Sequence, residues 1–191
     1  MNQLLNQLHE YWSRRASTYD VPDVFGRQIL DAYIEKLKPQ SLIEIGCGHG
    51  ELFSIYKDTP KVVGLDWSAE MLARSKQRIE RHGYGNIMLK HMNIVTECLP
   101  ETFDVALTRT CLMHIPPDCF VDACKNISRM SNRLLIFEYY NPDRQIPLAP
   151  HNWHHEYPYM FVELGYKMIE AYDRPDGLPQ ILFHFLKEAK A

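Results

Sequence analysis

The chain has 191 residues, of which 46% are hydrophobic and 24% are charged, and its formal net charge is −3. These values are typical of a globular protein with one domain and a full hydrophobic core. The slightly acidic balance argues against a nucleic-acid partner, and no segment has the ~18 consecutive apolar residues that span a membrane. The N-terminus lacks the apolar run of a signal peptide, so we expect a cytoplasmic protein.

The cysteines indicate neither disulfides nor a metal site. Their number is odd, and no C-x-x-C pair is present. Free thiols are therefore the better interpretation. The five are Cys47, Cys98, Cys111, Cys119 and Cys124.

Helical and extended segments alternate along the first two thirds of the chain. Apolar residues recur at helical spacing over 2–16 and 23–38. Further helices are predicted from about residue 50, over 69–82, and from Pro117 to about 129. Between them lie five short apolar segments that predict strands: 41–46, 61–66, 85–92, 103–109 and 133–140. This alternation is typical of a parallel sheet with helices on both faces.

The C-terminal part follows a different pattern. Residues 155–165 predict a helix, and the extended segments 166–174 and 179–187 flank the turn signal "PDGL". The pair predicts a terminal hairpin, which places an antiparallel strand in an otherwise parallel sheet.

The first strand runs into the stretch "LIEIGCGHGE", where Glu44 interrupts an apolar run and glycines follow at alternate positions. Glycine lets the backbone turn tightly and approach a ligand without interference from a Cβ atom. Ligands of open α/β sheets bind at the carboxyl ends of the strands, which is where this turn lies.

The neighbouring strand ends supply polar and aromatic groups. Asp66 lies 20 residues beyond Gly46, at the end of the next strand, where a carboxylate can accept both hydroxyls of a ribose. Trp67 offers a flat wall for a purine, and the amide of Asn93 can donate and accept at a base edge. These residue types together predict a nucleoside site.

The stretches "IEIGCGHGE", "VVGLDWSAEMLARSKQR" and "FDVALTRTCLMHI" resemble the class I S-adenosylmethionine-dependent methyltransferases. The matching motifs lie between residues 42 and 116, and the topology is similar over roughly 10–187. The resemblance implies one α/β domain over 1–191, with a Rossmann-like seven-stranded, mostly parallel sheet, an antiparallel C-terminal strand and helices on both faces. It also implies S-adenosyl-L-methionine as the cofactor.

The resemblance further implies which residues contact that cofactor. Residues 1–22 would form an N-terminal helix and a lid, and Asn93 replaces the Asp that is frequent at its position. Packing in the core is an equal alternative for Met71, and a turn aromatic is the alternative for Tyr19. The expected cofactor-binding residues are Tyr11, Tyr19, Glu44, Gly46, Cys47, Gly48, Gly50, Asp66, Trp67, Met71, Asn93, Ile94 and Thr108.

Residues 139–165 are expected on the acceptor side, and they contain the cluster "PHNWHHEYPY". Our first hypothesis is that His154 is a general base and that Glu138 orients it or binds the acceptor. A solvated loop is a close alternative. A metal site is a distant one, since adjacent histidines rarely share one metal. We interpret His114 as structural.

The sequence favours a small-molecule acceptor with a reactive oxygen or nitrogen, and no nucleic acid or membrane partner. Members of the family that methylate nucleic-acid amines carry [N/D/S]-P-P-[aromatic] after the fourth strand, where this chain has "TRTCL". A cofactor-binding subunit without activity is the alternative, and a homodimer is an open option. A nicotinamide-dependent oxidoreductase is disfavoured because Glu51 would face its pyrophosphate.

Overall fold

The computed structural model describes residues 3–18, 23–140 and 151–188. The chain divides into two compact units, Met1–Asn93 and Ile94–Ala191, and each is described by itself below.

The first unit has a parallel three-stranded arrangement with three α-helices. β1 pairs in parallel with β2, and β2 pairs in parallel with β3. Ser68 begins α3 by accepting a hydrogen bond from the Met71 N–H, and Gly83 ends it in the left-handed conformation. In chain order the elements are α1 (Gln3–Arg15), α2 (Val24–Leu37), β1 (Ser41–Ile45), a 3₁₀ turn (Phe53–Tyr56), β2 (Lys61–Asp66), α3 (Ala69–His82) and β3 (Ile87–His91).

The second unit adds the antiparallel part of the fold. β4 pairs in parallel with β5, β5 pairs antiparallel with β7, and β7 pairs antiparallel with β6. The elements are β4 (Val105–Arg109), a 3₁₀ turn (Leu112–His114), α4 (Pro117–Met130), β5 (Arg133–Tyr139), α5 (Tyr157–Glu163), β6 (Tyr166–Asp173) and β7 (Gln180–Lys187). The C-terminal hairpin that the "PDGL" turn predicts is therefore confirmed.

The strands form a seven-stranded sheet in the order β3-β2-β1-β4-β5-β7-β6. It is mostly parallel, helices flank it, and its antiparallel strands are C-terminal, so the predicted fold class is confirmed. The central strands are buried except at their end residues, as expected for parallel strands that helices cover on both faces.

The prediction of a helix from about residue 50 is wrong. The chain makes turns over 48–52 and then only the single 3₁₀ turn Phe53–Tyr56. The local sequence explains this: Pro60 precedes β2, so few residues remain for a helix after the glycines. The fully buried Phe53 ring instead packs close to Gly50 and Gly64.

An aromatic cluster fills the core of the second unit. Tyr157 and Phe161 of α5 lie against Phe183 and Phe185 of β7, with ring centroids 5.4–6.4 Å apart. Tyr166 donates a hydrogen bond from its hydroxyl to the Ser131 carbonyl, so its polar end is satisfied.

All five cysteines are free; Cys47, Cys119 and Cys124 are buried, whereas Cys98 and Cys111 are half-buried. Within the described ranges, every helix is too short or too polar to cross a bilayer.

Candidate functional site

The turn after β1 explains why three glycines stand at alternate positions. Gly46, Gly48 and Gly50 all have positive φ, at 75°, 54° and 79°. Residues with a Cβ atom are strained in this region, so any other residue type would oppose the turn. The N–H groups of Gly46 and Cys47 both donate to the Leu65 carbonyl, at 2.8 and 2.9 Å.

Asp66 binds the same turn through its side chain. Its Oδ2 accepts the Gly48 N–H at 2.8 Å, and its Oδ1 accepts the Ser68 N–H at 2.8 Å. Burial raises the pKa of the Asp66 carboxyl, while these N–H groups and nearby His91 oppose the shift. The residue is half-buried, and each oxygen keeps acceptor capacity for a ligand hydroxyl.

Ser75 holds the other side of the Gly48 peptide group. Its hydroxyl donates to the Gly48 carbonyl at 2.8 Å, although it lies on α3 and 27 residues away. The sequence analysis did not identify this residue. The sequence contained a signal, because Ser75 follows Met71 and Leu72 at helical spacing. All three lie on the buried face of α3, and a polar side chain there requires a hydrogen-bond partner.

The remaining expected cofactor residues of the first unit differ in exposure. Glu44, Cys47, Met71 and Asn93 are buried. Trp67 is half-buried, and its ring lies 5.0 Å from the His9 ring of α1. Only Trp67 of these five therefore presents a partly open surface to a ligand in this conformation.

The N-terminal segment is tied to α3. The Arg74 guanidinium donates to the Ala16 carbonyl, just beyond the end of α1. Tyr11 is half-buried and lines a groove formed with Gln7, Glu10, Arg14 and Arg15 of the same helix. Tyr19 lies outside the described residues, so its predicted lid role stays a prediction.

Glu51 fastens the turn to α2. Its carboxylate accepts the Asp23 N–H at 3.0 Å, and Asp23 in turn caps α2 by accepting the Gly26 N–H at 3.0 Å. The glycine turn is thus followed by an acidic side chain, an unfavourable neighbour for a pyrophosphate.

Two further expected cofactor residues belong to the second unit. Ile94 is buried, and its carbonyl accepts a hydrogen bond from the Asn126 amide at 2.9 Å. Thr108 is fully buried within β4. Their contact with a cofactor stays a prediction.

Glu138, expected beside a catalytic histidine, instead binds backbone. It is fully buried, its Oε1 accepts the N–H groups of Cys111 and Leu112 at 3.0 and 3.1 Å, and its Oε2 accepts that of Met113 at 3.3 Å. Burial raises the pKa of the Glu138 carboxyl to about 7, and the N–H groups and the Thr108 hydroxyl oppose this shift. Glu138 therefore holds the turn after β4.

The histidine segment docks onto that turn. The Trp153 N–H donates to the Met113 carbonyl at 2.8 Å, and His155 Nε2 donates to the Ile115 carbonyl at 2.8 Å. His114 Nδ1 donates to the His151 carbonyl at 3.3 Å. Burial lowers the pKa of both His114 and His155 to about 4, so both rings are neutral donors at physiological pH. The structural interpretation of His114 fits this geometry.

His154 is half-buried in the same segment, between two residues that make these bonds. Across residues 3–18, 23–140 and 151–188, no three His, Cys, Asp or Glu side chains converge as metal ligands would. Residues 151–155 are thus held by hydrogen bonds to the turn after β4, unlike the solvated loop that was the close alternative.

Known proteins resemble this arrangement. Residues 42–133 match the family described as "Methyltransferase domain". This match covers 92 of the 191 residues, and it supports the predicted resemblance to the class I S-adenosylmethionine-dependent methyltransferases. A curated relative, the phosphatidylethanolamine N-methyltransferase of Cereibacter sphaeroides, is 29% identical over 111 residues, which cover 56% of this chain and 54% of the relative. The matched region thus spans about half the length of that relative.

Solved structures share the methyltransferase fold over nearly the whole chain. The DhpI–SAH complex has a TM-score of 0.76 at 17% identity and covers 98% of both chains. The magnesium protoporphyrin IX methyltransferase ChlM of Synechocystis PCC 6803 has a TM-score of 0.75 at 15% identity, covering 98% of this chain and 99% of that one. The structural similarity establishes the fold, and the low sequence identities carry no information on the methyl acceptor.

The glycine turn of the domain has room for a cofactor. A Cβ atom added at Gly48 would meet nothing within 4 Å, and the half-buried Asp66 and Trp67 stand at the end of the adjacent strand. An open backbone surface beside a carboxylate and an indole fits the nucleoside part of S-adenosylmethionine.

Gly48 and Gly50 form a matched pair for testing the turn. A Cβ atom at Gly50 would lie 2.4 Å from the Phe53 ring, whereas one at Gly48 has space. We expect Gly50→Ala to lower the free energy of unfolding by roughly 3 kcal/mol through overpacking and strain, and Gly48→Ala by roughly 1 kcal/mol through strain alone. Urea unfolding followed by circular dichroism measures both; equal losses would show that Phe53 yields to the added methyl group.

The raised pKa of Glu138 predicts a pH dependence of stability. Between its ordinary value of 4.5 and about 7 the folded protein binds more protons at this group than the unfolded chain does. The wild type should therefore lose stability relative to Glu138→Gln as pH rises through this window, by on the order of 2 kcal/mol. Urea unfolding from pH 4.5 to 8 measures it, with exposed Glu163→Gln as the control. A constant difference between Glu138→Gln and wild type at every pH would contradict the shift.

Proposed function

We propose that this chain transfers a methyl group from S-adenosylmethionine to an oxygen or nitrogen of a small-molecule acceptor. The observation that carries the proposal is the position of the Gly48 peptide group. Its N–H donates to Asp66, its carbonyl accepts from Ser75, and a Cβ atom at Gly48 would meet nothing within 4 Å. The methyltransferase-domain match over 42–133 and the fold shared with complexes of SAM and SAH support the same reading.

The proposed contacts follow from the chemistry of each group. Asp66 accepts the ribose hydroxyls, Trp67 packs against adenine, and Asn93 meets the base edge. Glu44 faces the cationic methionine end or stabilises the turn from within β1. The remaining proposed cofactor contacts are Tyr11, Tyr19, Gly46, Gly48, Gly50, Cys47, Met71, Ile94 and Thr108.

The cofactor, when bound, supplies a methyl group that its sulfonium already activates. The protein must then align the acceptor, exclude water and remove a proton where the acceptor carries one. We assign this last role to His154, which is half-buried in the segment expected on the acceptor side. Glu138 has a different role, which is argued in the next subsection.

The acceptor side supports a small molecule. Trp153, His151 and His155 bond to the turn after β4, and Tyr140 donates to Glu156 at 3.2 Å. The relatives named above differ in acceptor: one name specifies a phospholipid amine and another a magnesium porphyrin. A reactive nitrogen or oxygen is common to such acceptors, and it sets the range that a test must cover.

Cofactor binding is tested by calorimetric titration with S-adenosylhomocysteine. We expect micromolar affinity in the wild type and at least a tenfold loss in Asp66→Asn, which removes a ribose acceptor and weakens the Gly48 bond. Asp58→Asn is the matched control, because Asp58 is exposed in the same unit. Preference for NAD over S-adenosylhomocysteine would contradict the proposal, as would equal affinity in wild type and Asp66→Asn.

Transfer is tested with radiolabelled S-adenosylmethionine and a panel of acceptors: a phenol, a primary amine, a carboxylate, a porphyrin and phosphatidylethanolamine vesicles. For an acceptor that must lose a proton, His154→Ala should lower kcat about a hundredfold, and its deficit should shrink as pH rises. The control is Lys167→Ala, at an exposed site. Phe120 is unsuitable as a control site, because its ring stacks on that of His155 with centroids 3.9 Å apart. Tight cofactor binding without transfer to any panel member would favour the non-catalytic subunit.

A further inference from the structure

The turn after β4 has a backbone shape that gathers N–H groups. Thr110 has φ 46°, in the left-handed region, and Cys111 follows at φ −112° and ψ −52°. A left-handed residue next to a right-handed one points consecutive N–H groups to one side and forms an anion-binding concavity. A β-branched residue is strained in the left-handed region, so another interaction must hold Thr110 there.

The Glu138 carboxyl fills that concavity. It receives the N–H groups of Cys111, Leu112 and Met113 within 3.0–3.3 Å, and the side chain is fully buried. A buried carboxyl that accepts three N–H groups offsets the cost of its burial and fixes the turn that donates them. Glu138 therefore holds Thr110 in its strained conformation.

The outer side of the same turn receives the segment 151–155. The carbonyls of Met113 and Ile115 accept from the Trp153 backbone and the His155 ring, both at 2.8 Å, and His114 donates to the His151 carbonyl. His155 also stacks on Phe120, with centroids 3.9 Å apart and ring planes 6° apart. The segment contains no helix or strand, so these contacts determine its position.

We propose that Glu138 is a positioning residue of the acceptor side, which fixes the turn 110–115 so that the docked segment 151–155 holds His154 in place. This role rests on the proposed function, because that function places residues 151–155 on the side of the site where the methyl acceptor binds. Both Glu138 oxygens already accept backbone N–H groups, which distinguishes this role from that of a catalytic base.

Hydrogen exchange of the full-length protein tests the coupling without any acceptor. Glu138→Gln replaces one of the two acceptor oxygens with an N–H₂ group that faces backbone N–H donors, so we expect at least tenfold faster exchange at Cys111, Leu112, Met113 and Trp153. Exchange in β1–β3 should stay unchanged. Glu163→Gln, the same substitution at an exposed site of α5, should leave exchange at all these amides as in the wild type.

A rescue separates positioning from a general loss of stability. Thr110→Gly removes the strain that Glu138 opposes, since glycine adopts positive φ freely. In the Glu138→Gln background it should restore slow exchange at Trp153 by at least threefold. If Glu138→Gln does not fold, Glu138→Asp keeps the charge but shortens the reach, and it should accelerate exchange at Met113 more than at Cys111.

Wild-type exchange at Trp153 in Glu138→Gln would overturn the proposal, because the segment would then dock independently of the carboxyl. Loss of S-adenosylhomocysteine affinity in Glu138→Gln without faster exchange at Trp153 would overturn it too, by assigning Glu138 to the cofactor. With a panel acceptor that must lose a proton, we expect Glu138→Gln to lower kcat at least tenfold, because a misplaced His154 removes that proton less well; faster exchange at Trp153 with an unchanged kcat would contradict the link to His154. Failure of the wild type to bind S-adenosylhomocysteine would instead reject the proposed function and leave the exchange result intact.

Discussion

The hydrogen bond from the Gly48 N–H to the Asp66 carboxylate determines the shape of the candidate cofactor site. The parallel register pairs Ile45 with Leu65, and the next two N–H groups of the turn both bond to the Leu65 carbonyl. The third bond, from Gly48, goes to the side chain of Asp66, the last residue of β2. In the proposed site the same carboxylate accepts the ribose hydroxyls, so order in the turn and affinity for the ribose would be coupled.

The second unit uses the same chemistry with a different result. Glu138 also gathers backbone N–H groups from a turn with a residue at positive φ, here Thr110. Asp66 is half-buried and accepts one N–H on each oxygen, whereas Glu138 is fully buried and accepts three. A ligand can reach the half-buried carboxylate, whereas the fully buried one is closed to it. Accessibility therefore distinguishes the proposed binding residue from the proposed positioning residue.

The sequence predicts those parts of the fold that local chemistry determines. Helix α3 begins after Ser68, whose hydroxyl caps its first turn, and ends at Gly83, which adopts the left-handed conformation. Asp66 could be predicted from its spacing after Gly46, because Gly46 follows β1 and Asp66 ends the neighbouring strand β2. The "PDGL" turn likewise predicts the hairpin of β6 and β7.

The rest depends on contacts between distant residues, which local patterns do not encode. The helix predicted from about residue 50 is an exception, because its absence follows from residues nearby in sequence: Pro60 and the buried Phe53 ring beside Gly50. Ser75 reaches a carbonyl 27 residues away, and the partners of Glu138 follow from a strained turn that no motif announces. The sequence predicted that Glu138, at the end of β5, orients a histidine or binds the acceptor, whereas its hydrogen bonds go to the backbone of the turn after β4.

The state of the histidines limits what the acceptor side can do chemically. Burial lowers the pKa of His114 and His155 to about 4, so neither gains a proton near neutral pH, and each ring donates to a carbonyl. A ring that must keep its donor hydrogen in place to hold the chain cannot turn freely to follow a reacting acceptor. This limits proton removal by His114 and His155, and the proposed general base is the half-buried His154. A neutral amine already carries the lone pair that attacks, whereas a phenol or an ammonium must first lose a proton. The structure thus relates the importance of His154 to the protonation state in which the acceptor arrives.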